Sequence, residues 1–209
     1  MPEISLLQSP GSCSRISLIA LEEIGLDYRV EQVLLAKGEQ NSDPFRGINP
    51  KGKVPVLMVD GMVLTETIAI LTYLARTFPQ ARLLPRNDDW AEVNALSLLS
   101  WCATGMHPLI TRLRHPQKFC ELAAAHNDIR RLGEQELRVQ LQLADQRLAL
   151  QPWIAAAVWT IVDAYIAWIW GRSLDAGINP HDYPHIHEHH ARTMARSSSL
   201  RALAREEAR

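Results

Sequence analysis

The chain has 209 residues, 47% hydrophobic and 22% charged, long enough for one large domain or two small ones and too apolar to be a disordered chain. Its 22 basic and 23 acidic residues leave a formal net charge of −1, which carries no electrostatic footprint for nucleic acid or for anionic lipid. Three cysteines, Cys13, Cys102 and Cys120, form no disulfide framework and no C-x-x-C pair, and free thiols fit a reducing, cytoplasmic compartment.

In chain order, residues 3–7 predict a strand, and Ser9-Pro10-Gly11-Ser12 breaks it. Ile16, Leu18, Ile19, Leu21 and Ile24 recur at helical spacing, and Gly25 closes that helix. Tyr28, Val30, Val33 and Leu34 mark a second strand within 27–35, so the opening unit is β-α-β, a crossover that joins parallel strands. Residues 37–53 are polar and punctuated, with one helical turn near 43–47. Val54 to Val59 reads as a strand opened by Pro55, Asp60-Gly61 as a hairpin turn, and Met62 to Leu64 as its partner strand. Thr65 is expected to cap a helix carrying Ile68, Ile70, Leu71 and Leu74. Residues 1–77 therefore predict β-α-β-α-β-β-α, one α/β layer.

Pro79 and Pro85 mark residues 78–87 as a linker. Beyond it nothing reads as strand. Helices are expected at 90–114, 121–150, 161–174, 185–196 and 198–207, the two long ones dominated by good helix formers, so residues 88–209 predict an all-helical domain. The apolar run from Trp153 to Trp170 raises a membrane span, which needs about 20 such residues. Thr160 stands three residues before Asp163, the pattern of a capping box. It starts a shorter helix of core length, and no membrane association is expected. No basic and apolar leader precedes the first strand, so no secretory signal is expected either.

Cys13 is the sharpest chemical candidate. It stands where the first helix begins, and a helix N-terminus favours an anion. A thiol there is expected to have a pKa below the free value of about 8.5 and to label before Cys102 and Cys120. The plainer alternative is a small buried hydrophobe. Ser14 could donate to that thiolate or serve as a helix N-terminal residue. Ile16 occupies the place of a second redox cysteine, so no dithiol mechanism is available. Val54-Pro55, if cis, would present the Val54 backbone to a ligand. Thr65-Glu66-Thr67 reads either as plain capping or as a polar turn gripping an amino-acid-like ligand end. His181, His185, His187, His189 and His190 include i,i+4 pairs that could hold a metal. No thiolate or clear carboxylate set joins them, and no metal is expected.

Four segments in register resemble the glutathione transferase family: Pro10-Gly11-Ser12-Cys13-Ser14, Asn49-Pro50-Lys51-Gly52-Lys53-Val54-Pro55, Glu66-Thr67-Ile68-Ala69-Ile70, and Thr160-x-x-Asp163-Ala164-Tyr165. The first is similar to the Pro-Gly-x-Cys-Ser loop of the bacterial beta class. The resemblance spans essentially the whole chain. It implies a thioredoxin-like first domain with a mixed four-stranded sheet, a cis Val54-Pro55 bond, an all-α second domain and a homodimer. It implies glutathione as co-substrate, without a metal, and a small electrophile or a disulfide as the other partner. Cys13, Ser14 and His107 would be catalytic. Val54 would pair its backbone with the cysteinyl part of glutathione, Glu66 and Thr67 would hold the γ-glutamyl end, and Lys37 would reach the glycine carboxylate. Thr104 and His107 would contact glutathione from the helical domain. Pro108 departs from the pattern, standing where a lysine is usual, and should kink or interrupt its helix. Two alternatives accompany this reading. One is a non-catalytic binding or stress protein of the same family. The other is a zeta-class isomerase, whose S-S-C loop has Gly11 here in place of its first serine.

Overall fold

The structure, a computed structural model, describes residues 2–86 and 88–207. Asn87, which ends the expected linker, and the outermost residues of the two expected domains lie outside them.

The expected β-α-β-α-β-β-α order is present: β1 (Ile4–Gln8), α1 (Ser14–Ile24), β2 (Arg29–Gln32), α2 (Asp43–Ile48), β3 (Val56–Val59), β4 (Met62–Thr65) and α3 (Thr67–Thr77). The sheet runs β2-β1-β3-β4. Because α1 carries the chain back across the sheet, β1 and β2 pair in parallel. The two-residue turn forces β3 and β4 antiparallel. Asp60 and Gly61 sit there at φ 49° and 78°, the left-handed pair that matches strand twist. The inner strands β1 and β3 supply Leu6, Leu7, Val56 and Leu57 to the core. Gly25 ends α1 at φ 75°, its N–H bonded to the Leu21 carbonyl at 3.0 Å. The third helix starts one residue later than expected of a Thr65 cap. Thr65 remains paired with Val56 in the β-ladder, Glu66 turns the chain at φ 74°, and α3 begins at Thr67.

After the linker come α4 (Asp89–Ser100), α5 (His107–Arg114), α6 (His126–Leu150), α7 (Ile161–Asp175), α8 (Pro184–Met194) and α9 (Ser197–Glu207), with no strand among the described residues. The helix expected over 90–114 is divided. Pro108 has no N–H for the carbonyl four residues back, and its ring crowds that carbonyl. The turn before it opens into a π-helical stretch, Trp101–Met106, in which the His107 N–H reaches the Cys102 carbonyl. The helix expected from 121 starts at His126, after a tighter turn over Ala123–Ala125. The part of the apolar run from Ile161 on is α7. Every residue from Ile161 to Trp170 is buried, and a helix apolar on nearly every face belongs in a core. Among the described residues no helix is long and apolar enough to cross a membrane.

Contacts divide the chain into two compact units: residues up to Leu84 together with those from Ala195 on, and Pro85–Met194. The C-terminal helix was expected in the helical domain. It belongs instead with the sheet, because α9 packs along α1 and buries Ser198, Ser199, Ala202 and Glu206 there. Ion pairs of Arg201 with Glu22, Arg196 with Glu23 and Arg15 with Glu206 reinforce that contact.

Candidate functional site

In the sheet unit the fold brings three of the expected residues to one end of β1 and β3. Cys13 is the residue from which α1 starts, part-buried, with its Sγ 3.8 Å from the Val54 carbonyl. The Thr67 side chain also hydrogen-bonds that thiol. Val54 precedes β3, in the cis peptide with Pro55, and the β1–β3 ladder ends at Val56. The two helix starts at Cys13 and Thr67 and the Val54 backbone therefore converge on one sulfur.

Two expectations for this loop are corrected. Burial pushes the Cys13 thiol up to about 11, and the nearby Glu66 charge adds to the effect. The Thr67 hydrogen bond, a backbone N–H and Lys53 lower it without offsetting the burial. At neutral pH Cys13 is a protonated thiol, a donor and not a thiolate. The helix N-terminus loses to desolvation, which disfavours the charged form of any buried acid. Burial raises Cys102 as well, with a further push from Asp163. The second correction concerns Ser14. Its hydroxyl is buried and turned into the loop, accepting the Ser9 N–H at 3.1 Å and meeting the Ser12 hydroxyl at 2.5 Å and the Ser9 carbonyl at 3.3 Å. Ser14 ties the loop. The hydroxyl at the sulfur is that of Thr67.

Glu66 is exposed, and its carboxylate forms an ion pair with Lys51, whose Nζ also donates to the Thr65 hydroxyl at 2.7 Å. Lys37 is exposed in a short turn, Leu35–Lys37. Thr104 and His107 belong to the helical unit. Thr104 is exposed in the π-helical stretch, its hydroxyl bonded to the Ser100 carbonyl at 2.8 Å. His107 opens α5, with Nδ1 3.1 Å from the Tyr165 hydroxyl and its ring edge-on to Trp168 at 4.6 Å.

Glu206 is a residue the sequence reading missed. It is 2% exposed. One carboxylate oxygen accepts the Gly11 N–H at 2.8 Å, and the other accepts Arg15 Nε and Nη2 at 2.9 and 2.6 Å. The loop that carries Cys13 is thus held from both sides, by Ser14 within it and by Glu206 from the far end of the chain. No local signal marks a glutamate near a C-terminus for that task.

The C-terminal histidines divide among separate partners. His185 Nδ1 lies 2.9 Å from Asp145, His189 Nε2 lies 2.8 Å from Asp163, Trp170 Nε1 donates to His187 at 3.3 Å, and His190 Nδ1 lies 2.9 Å from the Ala167 carbonyl. The i,i+4 spacing of His185 and His189 therefore serves two buried carboxylates. No group of three potential metal ligands occurs among the described residues.

Residues 3–76 match the family model described as the glutathione S-transferase N-terminal domain. The chain is 33% identical over 165 residues to the glutathione S-transferase GstA of Escherichia coli O157:H7, covering 78% of this chain and 79% of that one. A probable maleylacetoacetate isomerase of Caenorhabditis elegans is 42% identical over 99 residues, 47% of this chain and 45% of that protein. The solved structure of a bacterial beta-class glutathione S-transferase from Sphingomonas chungbukensis superposes with a TM-score of 0.86 at 30% identity, covering 97% of this chain and 98% of that one.

Proposed function

The chain belongs to the glutathione S-transferase family, with similarity to its bacterial beta class, and from that premise we propose that it binds glutathione in the sheet unit and conjugates it to a small electrophile. The observation that carries this reading is the convergence of the Cys13 thiol, the Val54 backbone and the Thr67 side chain. That arrangement fits glutathione part by part. The Val54 N–H and carbonyl stand at the open end of the β1–β3 ladder, where an extended cysteinyl segment can pair with them. The start of α3 offers unpaired N–H groups to a carboxylate, and the Glu66 carboxylate matches an ammonium.

The chemistry follows from the state of Cys13. A thiol held up at about 11 donates its S–H, and the atom that gains from such a donor is a second sulfur carrying negative charge. Cys13 therefore stabilises the glutathione thiolate, formed when the glutathione thiol gives its proton to water. That thiolate forms the C–S bond to the electrophilic carbon, and the displaced electron pair leaves with the departing group. Thiol–disulfide exchange at Cys13 needs the Cys13 thiolate itself, so its protonation favours conjugation. The resemblance further assigns Lys37 to the glycine carboxylate, Thr104 and His107 to glutathione, and a homodimer as the assembly.

Titration calorimetry and a conjugation assay with an activated haloarene test this reading. Glutathione should bind and turn over. Glu66→Ala should weaken binding about tenfold, the size of a charged hydrogen bond. Unchanged affinity would remove the γ-glutamyl end from this site. The partial match to a maleylacetoacetate isomerase favours a second reading, glutathione-dependent isomerisation. Turnover of a cis-configured diketo acid without conjugate formation would select it.

A further inference from the structure

We propose that Lys51 is a specificity-determining residue of this site, its ammonium reading the α-carboxylate of the γ-glutamyl end while Glu66 reads the α-ammonium. The inference rests on the glutathione reading above. A γ-glutamyl end carries both charges on one carbon. With Glu66 as the only charged side chain, the ligand's carboxylate would reach the α3 N–H groups beside a carboxylate of like sign. Lys51 supplies the opposite sign beside it: its Nζ is paired with Glu66 and lies 2.7 Å from the Thr65 hydroxyl. Lys51 and Glu66 thus present a positive and a negative charge side by side, complementary to an amino-acid zwitterion.

The backbone places both residues. The Lys51 N–H donates to Asn49 Oδ1 at 3.2 Å, and Asn49 Nδ2 donates to the Lys53 carbonyl at 2.6 Å. Asn49 is only 2% exposed, so a buried side chain shapes the loop from which Lys51 projects. Gly52 follows at φ 63°, where a Cβ would stand 3.2 Å from the Gln40 carbonyl. Glu66 is held at φ 74° and ψ 121°, a conformation that favours glycine, while its carbonyl accepts the first bond of α3 from the Ile70 N–H at 3.0 Å. The side chains themselves are 46% and 65% exposed. An ion pair so open to water is weak, and a zwitterion can exchange into it with each charge keeping a partner. The ligand class is therefore γ-glutamyl compounds with both the α-amino and the α-carboxylate groups free.

Calorimetric titrations of the whole protein, wild type and Lys51→Met, with glutathione and with 4-aminobutyryl-cysteinylglycine, which lacks the α-carboxylate, test the assignment. The wild type should prefer glutathione. Lys51→Met should bind glutathione about fivefold more weakly, the upper range for a solvent-open charge pair, and bind the analogue unchanged. Lys51→Arg should retain the preference. Equal weakening for both ligands would overturn the proposal, leaving Lys51 as a mere orienter of Glu66. Tighter glutathione binding by Lys51→Met would overturn it too, because Lys51 would then be a competitor of the ligand's ammonium. If the wild type binds neither compound, the glutathione reading falls and this proposal with it.

Discussion

Asp163 in the helical unit and Glu206 in the sheet unit are both buried carboxylates, 0% and 2% exposed, and both are saturated with donors. Asp163 accepts from the Ile154 and Thr160 N–H groups at 2.7 and 2.8 Å and lies 2.8 Å from His189. Its partners are between 3 and 26 residues away. Glu206 accepts from Gly11 and Arg15, which are 195 and 191 residues away. A buried charge is tolerated only when it is paired and hydrogen-bonded. One carboxylate meets that requirement by closing a local turn and joining α7 to α8. The other meets it by tying the last helix to the loop that carries Cys13. The same physical cost thus produces a structural knot in one unit and a support for the candidate site in the other.

Removing each carboxylate separates the two roles. Asp163→Ala should cost the most, about 3–5 kcal/mol, because it strands a buried histidine and two N–H groups. Urea unfolding measures it, and a loss under about 1 kcal/mol would mean that water replaces the carboxylate. The folded variant should keep wild-type reactivity at Cys13. Glu206→Ala should cost less, about 2–3 kcal/mol, since Arg15 retains some access to water. Unlike Asp163→Ala, it should raise the alkylation rate of Cys13 in the folded protein by loosening its loop. Equal Cys13 reactivity in the two variants would break the comparison.

The next effect concerns the thiol itself. With Cys13 held up at about 11 by burial, its thiolate at pH 7 should be about a hundredfold scarcer than in the unfolded chain. Iodoacetamide should label it slowly in the native protein and faster in urea, and the native rate should climb with pH up to about 11. Worked through for stability, the folded chain holds this proton longer than the unfolded chain. The contribution is present below the ordinary cysteine range and is lost as pH rises through about 11. Fast native labelling at pH 7 would show that the helix N-terminus outweighs burial. The smallest change in stability belongs to Glu66→Gly. The left-handed φ suits glycine, so unfolding free energy should stay within about 1 kcal/mol of wild type. Glutathione affinity should nevertheless fall as in Glu66→Ala. A large destabilisation would make Glu66 a structural residue, comparable to Asp163.

The features legible in the chain are those whose cause lies within a few residues. The Asp60-Gly61 turn announces β3 and β4, the Gly25 cap ends α1, and Thr160 with Asp163 opens α7. The interruption before Pro108 was legible as a break, since a proline removes its own N–H wherever it stands. Its π-helical form over Trp101–Met106 was not. Cys13, Val54, Glu66 and Thr67 were legible as candidates through the spacing of short motifs. Their protonation state and partners were not.

Sequence alone determined the order of strands and helices, the directions of the β1–β2 and β3–β4 pairs, the capping box and the identity of the loop residues, because turns, caps and periodicity act over one or two turns of chain. Only the tertiary structure decided that the Cys13 thiol stays protonated, that Ser14 points into its loop while Thr67 faces the sulfur, that Lys51 meets Glu66, and that α9 joins the sheet unit through Glu206. Each of these depends on burial or on a partner distant in sequence. Desolvation and long-range charge pairing are set by what the folded chain places around a group, and nothing in the neighbouring residues reports it.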